Sequence, residues 1–394
     1  MKAKKLVGRP VVTLVAGAMA ACVLIAACVC ATVAGASSRS FPPPGRIVYS
    51  APTPLARGFT LSLFSAATDG TRARQITSNA LGADFEPRWS PDGTQVAFTR
   101  VAEDHLNSSV WVVNADGTKA HPVSGDPSHA GYPKWSPDGR LIAFQEQGPY
   151  GSHSGLADTG YTLSAVRPDG SGLRSLGVGA ELDDSPGLVV LGNAWSWSPD
   201  SKHIAFVHTD GYEDPNPPTI NILDLATGAT RTLTTGTYPA WSPNGTRLAF
   251  VDRCRIWLIP AKGGKRTAIT VRPRAGTCAS DLAWSPDGRW IAATANDGFS
   301  PPKGGLSFIP LVARSDGTHQ YRLWPIWASK VRWPLDCRRL FFYRTPNGPT
   351  PSGYLGLVGA TVGWIVPDPR GRPRFARVPT NKILEANADW RCRH

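Results

Sequence analysis

Helical patterning is nearly missing from this 394-residue chain after residue 45. Without apolar residues recurring every three to four positions, a helical fold has little to stand on. Catalytic signatures are missing too. There is no G-x-S-x-G, so the chain has no serine nucleophile elbow; Gly151-Ser152-His153-Ser154-Gly155 carries a histidine at the centre instead. No H-E-x-x-H and no Walker-type loop occur, which argues against zincin and P-loop chemistry. The Asp-Gly pairs lack EF-hand spacing and read as turns. The sequence implies no cofactor and no resident metal.

What is present is a phrase. Trp89-Ser90-Pro91-Asp92-Gly93 returns as Trp135-Ser136-Pro137-Asp138-Gly139 and Trp284-Ser285-Pro286-Asp287-Gly288. Weaker copies begin at Trp197 and Trp241, and Trp333-Pro334-Leu335-Asp336 is a trace of another. A period of roughly 45–60 residues signals a propeller or solenoid. Proline presets φ, aspartate bonds nearby amides and glycine accepts left-handed backbone, so each copy reverses the chain. An apolar strand follows each turn, such as Val96-Ala97-Phe98 or Ile204-Ala205-Phe206. A third strand then leads to a second turn, as Val110-Trp111-Val112-Val113 leads to Asp116-Gly117 and Leu306-Ser307-Phe308-Ile309 leads to Asp316-Gly317. With a thinner fourth strand, each repeat is one four-stranded antiparallel blade.

The expected fold is therefore all-β, a propeller whose innermost strands carry Trp89, Trp135, Trp197, Trp241, Trp284 and Trp333. Residues 46–77 supply three strands of a further blade, and Ala388-Asp389-Trp390 supplies its first strand from the far end. Seven blades follow, closed by strands from both ends, with six as the alternative. Such closure removes two exposed sheet edges. The Trp-Ser-Pro-Asp-Gly turn, the Ile-Ala-Phe strand and the Asp-Gly turn resemble TolB-like propeller repeats, relatives of WD repeats. The resemblance covers residues 45–394 and implies an envelope-associated binding module. It departs from the TolB pattern in blade number and leaves no room for the small α/β domain that precedes those propellers.

Lys2, Lys4, Lys5 and Arg9 precede an uncharged run from Val11 to Ala36, long enough as a helix to span a bilayer. Residues 1–36 are expected to be a signal peptide, with Ala34-Gly35-Ala36 as cleavage site, or a retained anchor. Cys28 in Ile25-Ala26-Ala27-Cys28 offers a lipidation alternative. Residues 37–44 read as a proline-rich linker. All outcomes place the propeller outside the cytoplasm of a bacterium, secreted or anchored. Four cysteines remain beyond the leader, and strand order pairs Cys254 with Cys278 and Cys337 with Cys392, the second bond stapling the closure, with four unpaired thiols as the alternative.

The formal net charge is +13. Residues 330–394 hold 12 Lys or Arg against 4 acids, so the excess gathers in the last blades. Nucleic acid is not an expected partner, because no recognition motif accompanies the charge. In a blade, the loop after the second strand and the loop into the next blade share one face. His105, His129, His153 and His208 fall in or beside such loops, with Asp158 and Asp184 nearby. They read either as metal ligands and acid–base pairs or as polar loop residues facing water. Tyr132 and Tyr238 precede inner strands and either rim the channel mouth or pack between blades. The expectation is a monomer whose loop-rich face holds an envelope protein or glycan, with a propeller hydrolase or lyase acting on polysaccharide or peptide as the alternative.

Overall fold

The computed structural model describes residues 46–391, apart from 55–58, 68–71, 79–81, 104–106, 126–128, 148–160, 181–193, 210–215, 270–277, 297–307, 323–327, 333–339, 345–359, 367–373 and 384–388. The proposed leader and linker, His105, His153, Asp158, Asp184, Trp333, Cys337 and Cys392 lie outside the described residues. Among the described residues there are strands and no helix.

The strands run β1 (Arg46–Pro54), β2 (Phe59–Ala67) and β3 (Arg74–Gln75), then in repeating fours. The first unit is β4 (Ala83–Trp89), β5 (Gln95–Val101), β6 (Ser108–Asn114) and β7 (His121–Pro122). The second is β8 (His129–Trp135), β9 (Ile142–Gln147), β10 (Tyr161–Val166) and β11 (Arg174–Ala180). The third is β12 (Trp195–Trp197), β13 (His203–His208), β14 (Thr219–Asp224) and β15 (Thr230–Thr235). The fourth is β16 (Thr237–Trp241), β17 (Arg247–Asp252), β18 (Arg255–Pro260) and β19 (Thr267–Ala268). The fifth is β20 (Ala279–Trp284), β21 (Trp290–Asn296), β22 (Phe308–Arg314) and β23 (Gln320–Arg322). The sixth is β24 (Ala328–Arg332), β25 (Leu340–Arg344), β26 (Ala360–Val366) and β27 (Arg374–Ile383), and β28 (Asp389–Arg391) ends the order. Units three to six are separate four-stranded sheets, while units one and two join into one eight-stranded sheet through a single parallel pair, Ser108 with His129.

The expected closure is present. β28 pairs antiparallel with β1, setting Trp390 opposite Ile47, and completes a four-stranded sheet in the order β28-β1-β2-β3. The third strand of the fifth unit, Phe308–Arg314, includes the expected Phe308 and Ile309 and runs directly into the turn at Asp316, while Leu306 and Ser307 lie outside the described residues. Pro310 lies inside it, but β23 pairs only with Leu311–Ala313, so the missing N–H faces no strand on that side.

The turns explain why the phrase recurs. Ser90 Oγ donates to Asp92 Oδ1 (2.6 Å) and accepts from the Gln95 amide (3.0 Å), and the Thr94 amide donates to the same Asp92 oxygen (3.0 Å). The same bonds recur around Ser136, Ser198 and Ser285. These turns, and the second turns such as Asp116-Gly117, share one end of the units, here called the turn face. The connections after each second and fourth strand lie at the other end, the loop face.

The tryptophans stitch neighbouring sheets. Trp135 Nε1 donates to the Arg88 carbonyl (3.1 Å), Trp197 Nε1 to that of Lys134 (3.1 Å) and Trp284 Nε1 to that of Ala240 (2.9 Å). Each acceptor stands one residue before the preceding unit's tryptophan. The apolar core is laid down between successive sheets: Phe250, Leu248 and Ile259 of the fourth unit pack with Ala205, Ile220 and Ile222 of the third. First strands of successive units lie beside each other, β4 by β8, β12 by β16 and β16 by β20, which makes them the inner strands.

Candidate functional site

Four of the inner strands share a feature that hydropathy alone does not reveal. Three residues before the tryptophan, Glu86, Tyr132, Tyr238 and Asp281 have left-handed backbones with φ of 54°, 57°, 53° and 53°. The ladder to the second strand slips at the same place, between Phe85 and Arg88, Gly131 and Lys134, Thr237 and Ala240, and Ser280 and Ala283. A slip between Ala328 and Val331 repeats it in the sixth unit. These are β-bulges, which bend a strand and re-aim its side chains. A non-glycine residue in this conformation costs roughly 1–3 kcal/mol and persists only where its surroundings hold it.

The surroundings are polar and buried. Glu86 is 8% exposed, and its Oε2 accepts from the Tyr132 amide (3.0 Å) and from Thr99 Oγ1 (3.2 Å). One bulged residue thus holds the next one from unit to unit. Asp84 is fully buried and takes two bonds from Arg100, to Nε at 2.7 Å and Nη2 at 2.9 Å. The Arg100 guanidinium lies 4.3 Å from the centre of the Trp111 ring. Lys134 Nζ donates to the Trp195 carbonyl (2.6 Å) and sits 4.3 Å from that indole, joining the second unit to the third. Burial, and then the Glu86 charge, push the Tyr132 phenol well above its ordinary range, so it remains an O–H donor at any physiological pH. Asp281 is 5% exposed at the same level of the fifth unit.

The residues singled out from sequence meet different fates. His129 opens β8 opposite Gln147, and His208 ends β13 opposite Thr219, both at the loop-face ends of their strands. Among the described residues no three of His, Cys, Asp or Glu come together in a way that could hold a metal ion. Tyr238 is 6% exposed and packs in the core between the fourth and fifth units, with Ala240, Ile256, Trp284 and Ile291, which is the between-blades alternative rather than a channel rim. The Cys254–Cys278 disulfide is formed as expected, tying the β17–β18 turn to the entry of β20. Asp84, Glu86 and Asp281 escaped sequence reading. For Glu86 and Asp281 the available signal was the place three residues before the inner tryptophan, shared with Tyr132 and Tyr238.

No family model matches the chain. The uncharacterized peptidase YuxL of Bacillus subtilis is 30% identical over 113 residues, which is 26% of this chain and 17% of YuxL. Among solved structures, a Mycobacterium tuberculosis puromycin-hydrolyzing peptidase superposes with a TM-score of 0.55 at 14% identity, over 85% of this chain and 53% of the peptidase. An oligogalacturonate lyase in complex with manganese gives 0.52 at 12% identity, over 85% of each chain. TolB of Acinetobacter baumannii superposes with a TM-score of 0.43 at 18% identity over 70% of this chain and 62% of TolB. The chain spans about half the length of the peptidase and a small part of YuxL. The likeness to the peptidase and the lyase establishes the fold as a β-propeller and nothing finer.

Proposed function

We propose that this chain is an extracytoplasmic propeller of seven four-stranded blades that binds a protein or glycan partner of the cell envelope at its loop face. Residues 1–36 export or anchor it, residues 37–44 tether it, and the sheet containing β28 and β1 is the seventh blade. The observation that carries this reading is how the inner-strand polar residues are used. Asp84 is bound by Arg100 of the adjacent strand, Glu86 by the Tyr132 amide of the second unit, and Lys134 by the Trp195 carbonyl of the third, so these groups hold strands and successive units together. A hub held in this way leaves the loop face, where β9 ends at Gln147 and β13 at His208, as the surface offered to a partner. The test is a glycan array and an immobilised envelope fraction probed with the full chain. Saturable binding without turnover of the captured species is the expected result. Turnover of a bound glycan or peptide would replace the reading.

A second reading is a lyase acting on an acidic polysaccharide, favoured by the equal 85% coverage of this chain and the oligogalacturonate lyase. It is tested by elemental analysis for manganese in the purified chain and by incubation with oligogalacturonate, where a lyase releases an unsaturated, ultraviolet-absorbing product.

A further inference from the structure

The turn face of the fourth unit is built differently from its neighbours. In the first, second, third and fifth units both turns carry an aspartate, such as Asp92 and Asp116 in the first or Asp287 and Asp316 in the fifth. The fourth unit has neither. Its first turn holds Asn244, and its second is Gly263-Gly264. The geometry is nevertheless kept: Asn244 Oδ1 accepts from Ser242 Oγ at 2.8 Å and from the Thr246 amide at 3.1 Å, as Asp92 accepts from Ser90 and Thr94. Only the charge is gone.

Positive charge takes its place. Residues 225–280 hold nine Lys or Arg and a single acid, Asp252, which is bound by Arg266 at 2.8 Å. Lys262 and Lys265 are exposed in the second turn. Arg231, exposed on the adjoining β15, reaches across to the Ala261 carbonyl at 2.5 Å and adds its charge to the same patch. The strand order supplies an orientation. β1 occupies the second-strand place of its sheet, so it starts where β5 and β17 start, just past the turn face. The chain therefore enters the propeller from the turn face, and the uncharged run 11–36 ends only nine residues upstream of Arg46. Nine extended residues reach at most about 30 Å.

We propose that the turn face of the fourth unit, through Arg231, Lys262 and Lys265 around the uncharged Asn244, docks on anionic phospholipid headgroups. The proposal rests on the reading of residues 11–36 as a membrane-held segment. Exposed lysines and arginines near an anionic bilayer are drawn to it over about a Debye length, and carboxylates in the patch would oppose that attraction.

The test uses the full chain on vesicles of phosphatidylcholine alone, or of phosphatidylcholine and phosphatidylglycerol in equal parts, with amide exchange followed by mass spectrometry. Residues 244–247 and 261–265 are expected to exchange more slowly on the anionic vesicles only, while the loop-face turn 253–255 is unchanged. High salt removes the difference. The variant Asn244→Asp/Lys262→Glu/Lys265→Glu is expected to cut the protection by about tenfold or more. Lys262→Gln/Lys265→Gln, which leaves every turn bond in place, should weaken it in the same direction. Equal exchange on both vesicles, with the chain bound to both, overturns the lipid contact. A chain that neutral vesicles fail to retain overturns the anchor reading instead; the lipid contact then stands if anionic vesicles bind wild type more tightly than the charge variants, and falls if they bind neither.

Discussion

The junction between the third and fourth units and the junction between the fourth and fifth use the same repeat positions with different chemistry. At the second junction Trp284 Nε1 donates to Ala240, the Arg247 guanidinium lies 5.5 Å from the Trp284 ring, and Cys254–Cys278 ties the two sheets covalently. At the first junction Trp241 Nε1 is buried with no hydrogen-bond partner among the described residues. The side chain at the matching place is His203, 6.4 Å from the Trp241 ring and 3.7 Å from both Asp200 and Asp224. The repeat sets where a contact is made, and the residue placed there decides how firmly it holds. We expect the first junction to open before the second under stress.

The largest separation is expected from removing the indoles. Trp284→Ala should cost about 3–5 kcal/mol, because it empties a buried site and breaks a bond to the neighbouring sheet. Trp241→Ala, at a half-buried site with no such bond, should cost clearly less in denaturant unfolding. Equal losses would erase the contrast between the junctions. Replacing both Cys254 and Cys278 by Ser should cost about 2–4 kcal/mol and bring the second junction toward the first, read as faster amide exchange in β20. Exchanging the two side chains sharpens the comparison further. His203→Arg, which sets a permanently charged guanidinium by Trp241, should stabilise by about 0.5–1 kcal/mol, and Arg247→His should destabilise by a similar amount.

The smallest effect separates the fourth unit from its neighbours by pH. Hydrogen bonds from the Thr118, Ser171 and Thr318 hydroxyls and amides hold Asp116, Asp169 and Asp316 below the usual carboxylate range. A depressed folded-state value means a contribution that is present above about pH 4 and is lost as the pH falls through the folded value. Acid should therefore loosen the second turns of the first, second and fifth units, while the turn at Gly263-Gly264 keeps its exchange rate. Asp116→Asn/Asp169→Asn/Asp316→Asn should flatten the acid limb of the stability curve.

Much of the architecture could be read in advance because its signals are local. Ser, Pro, Asp and Gly in sequence make a turn wherever they occur, and the alternation of large and small residues in Ile204-Ala205-Phe206 marks a strand packed on both sides. Closure and the Cys254–Cys278 bond followed from strand order alone. The bulges did not follow. Glu86 and Asp281 take left-handed backbone, and Glu86 is held by a neighbour in the next unit, the Tyr132 amide. The Asp84–Arg100 pair was invisible for a similar reason, since its members meet only after β4 and β5 align. The basic fourth unit was hidden by averaging: residues 37–329 nearly balance in charge, and only counting unit by unit separates it.

The pairing of β1 with β28 has a consequence for biosynthesis. Ile47 and Val48 are among the earliest residues of the folded body to leave the ribosome, yet the strand that covers them is made some 340 residues later. Throughout elongation an apolar border stays open, inviting chaperones or an unwanted neighbour. A nonsense codon a few positions before Asp389 would keep that border open permanently, so a small truncation should be as harmful as the loss of a whole sheet.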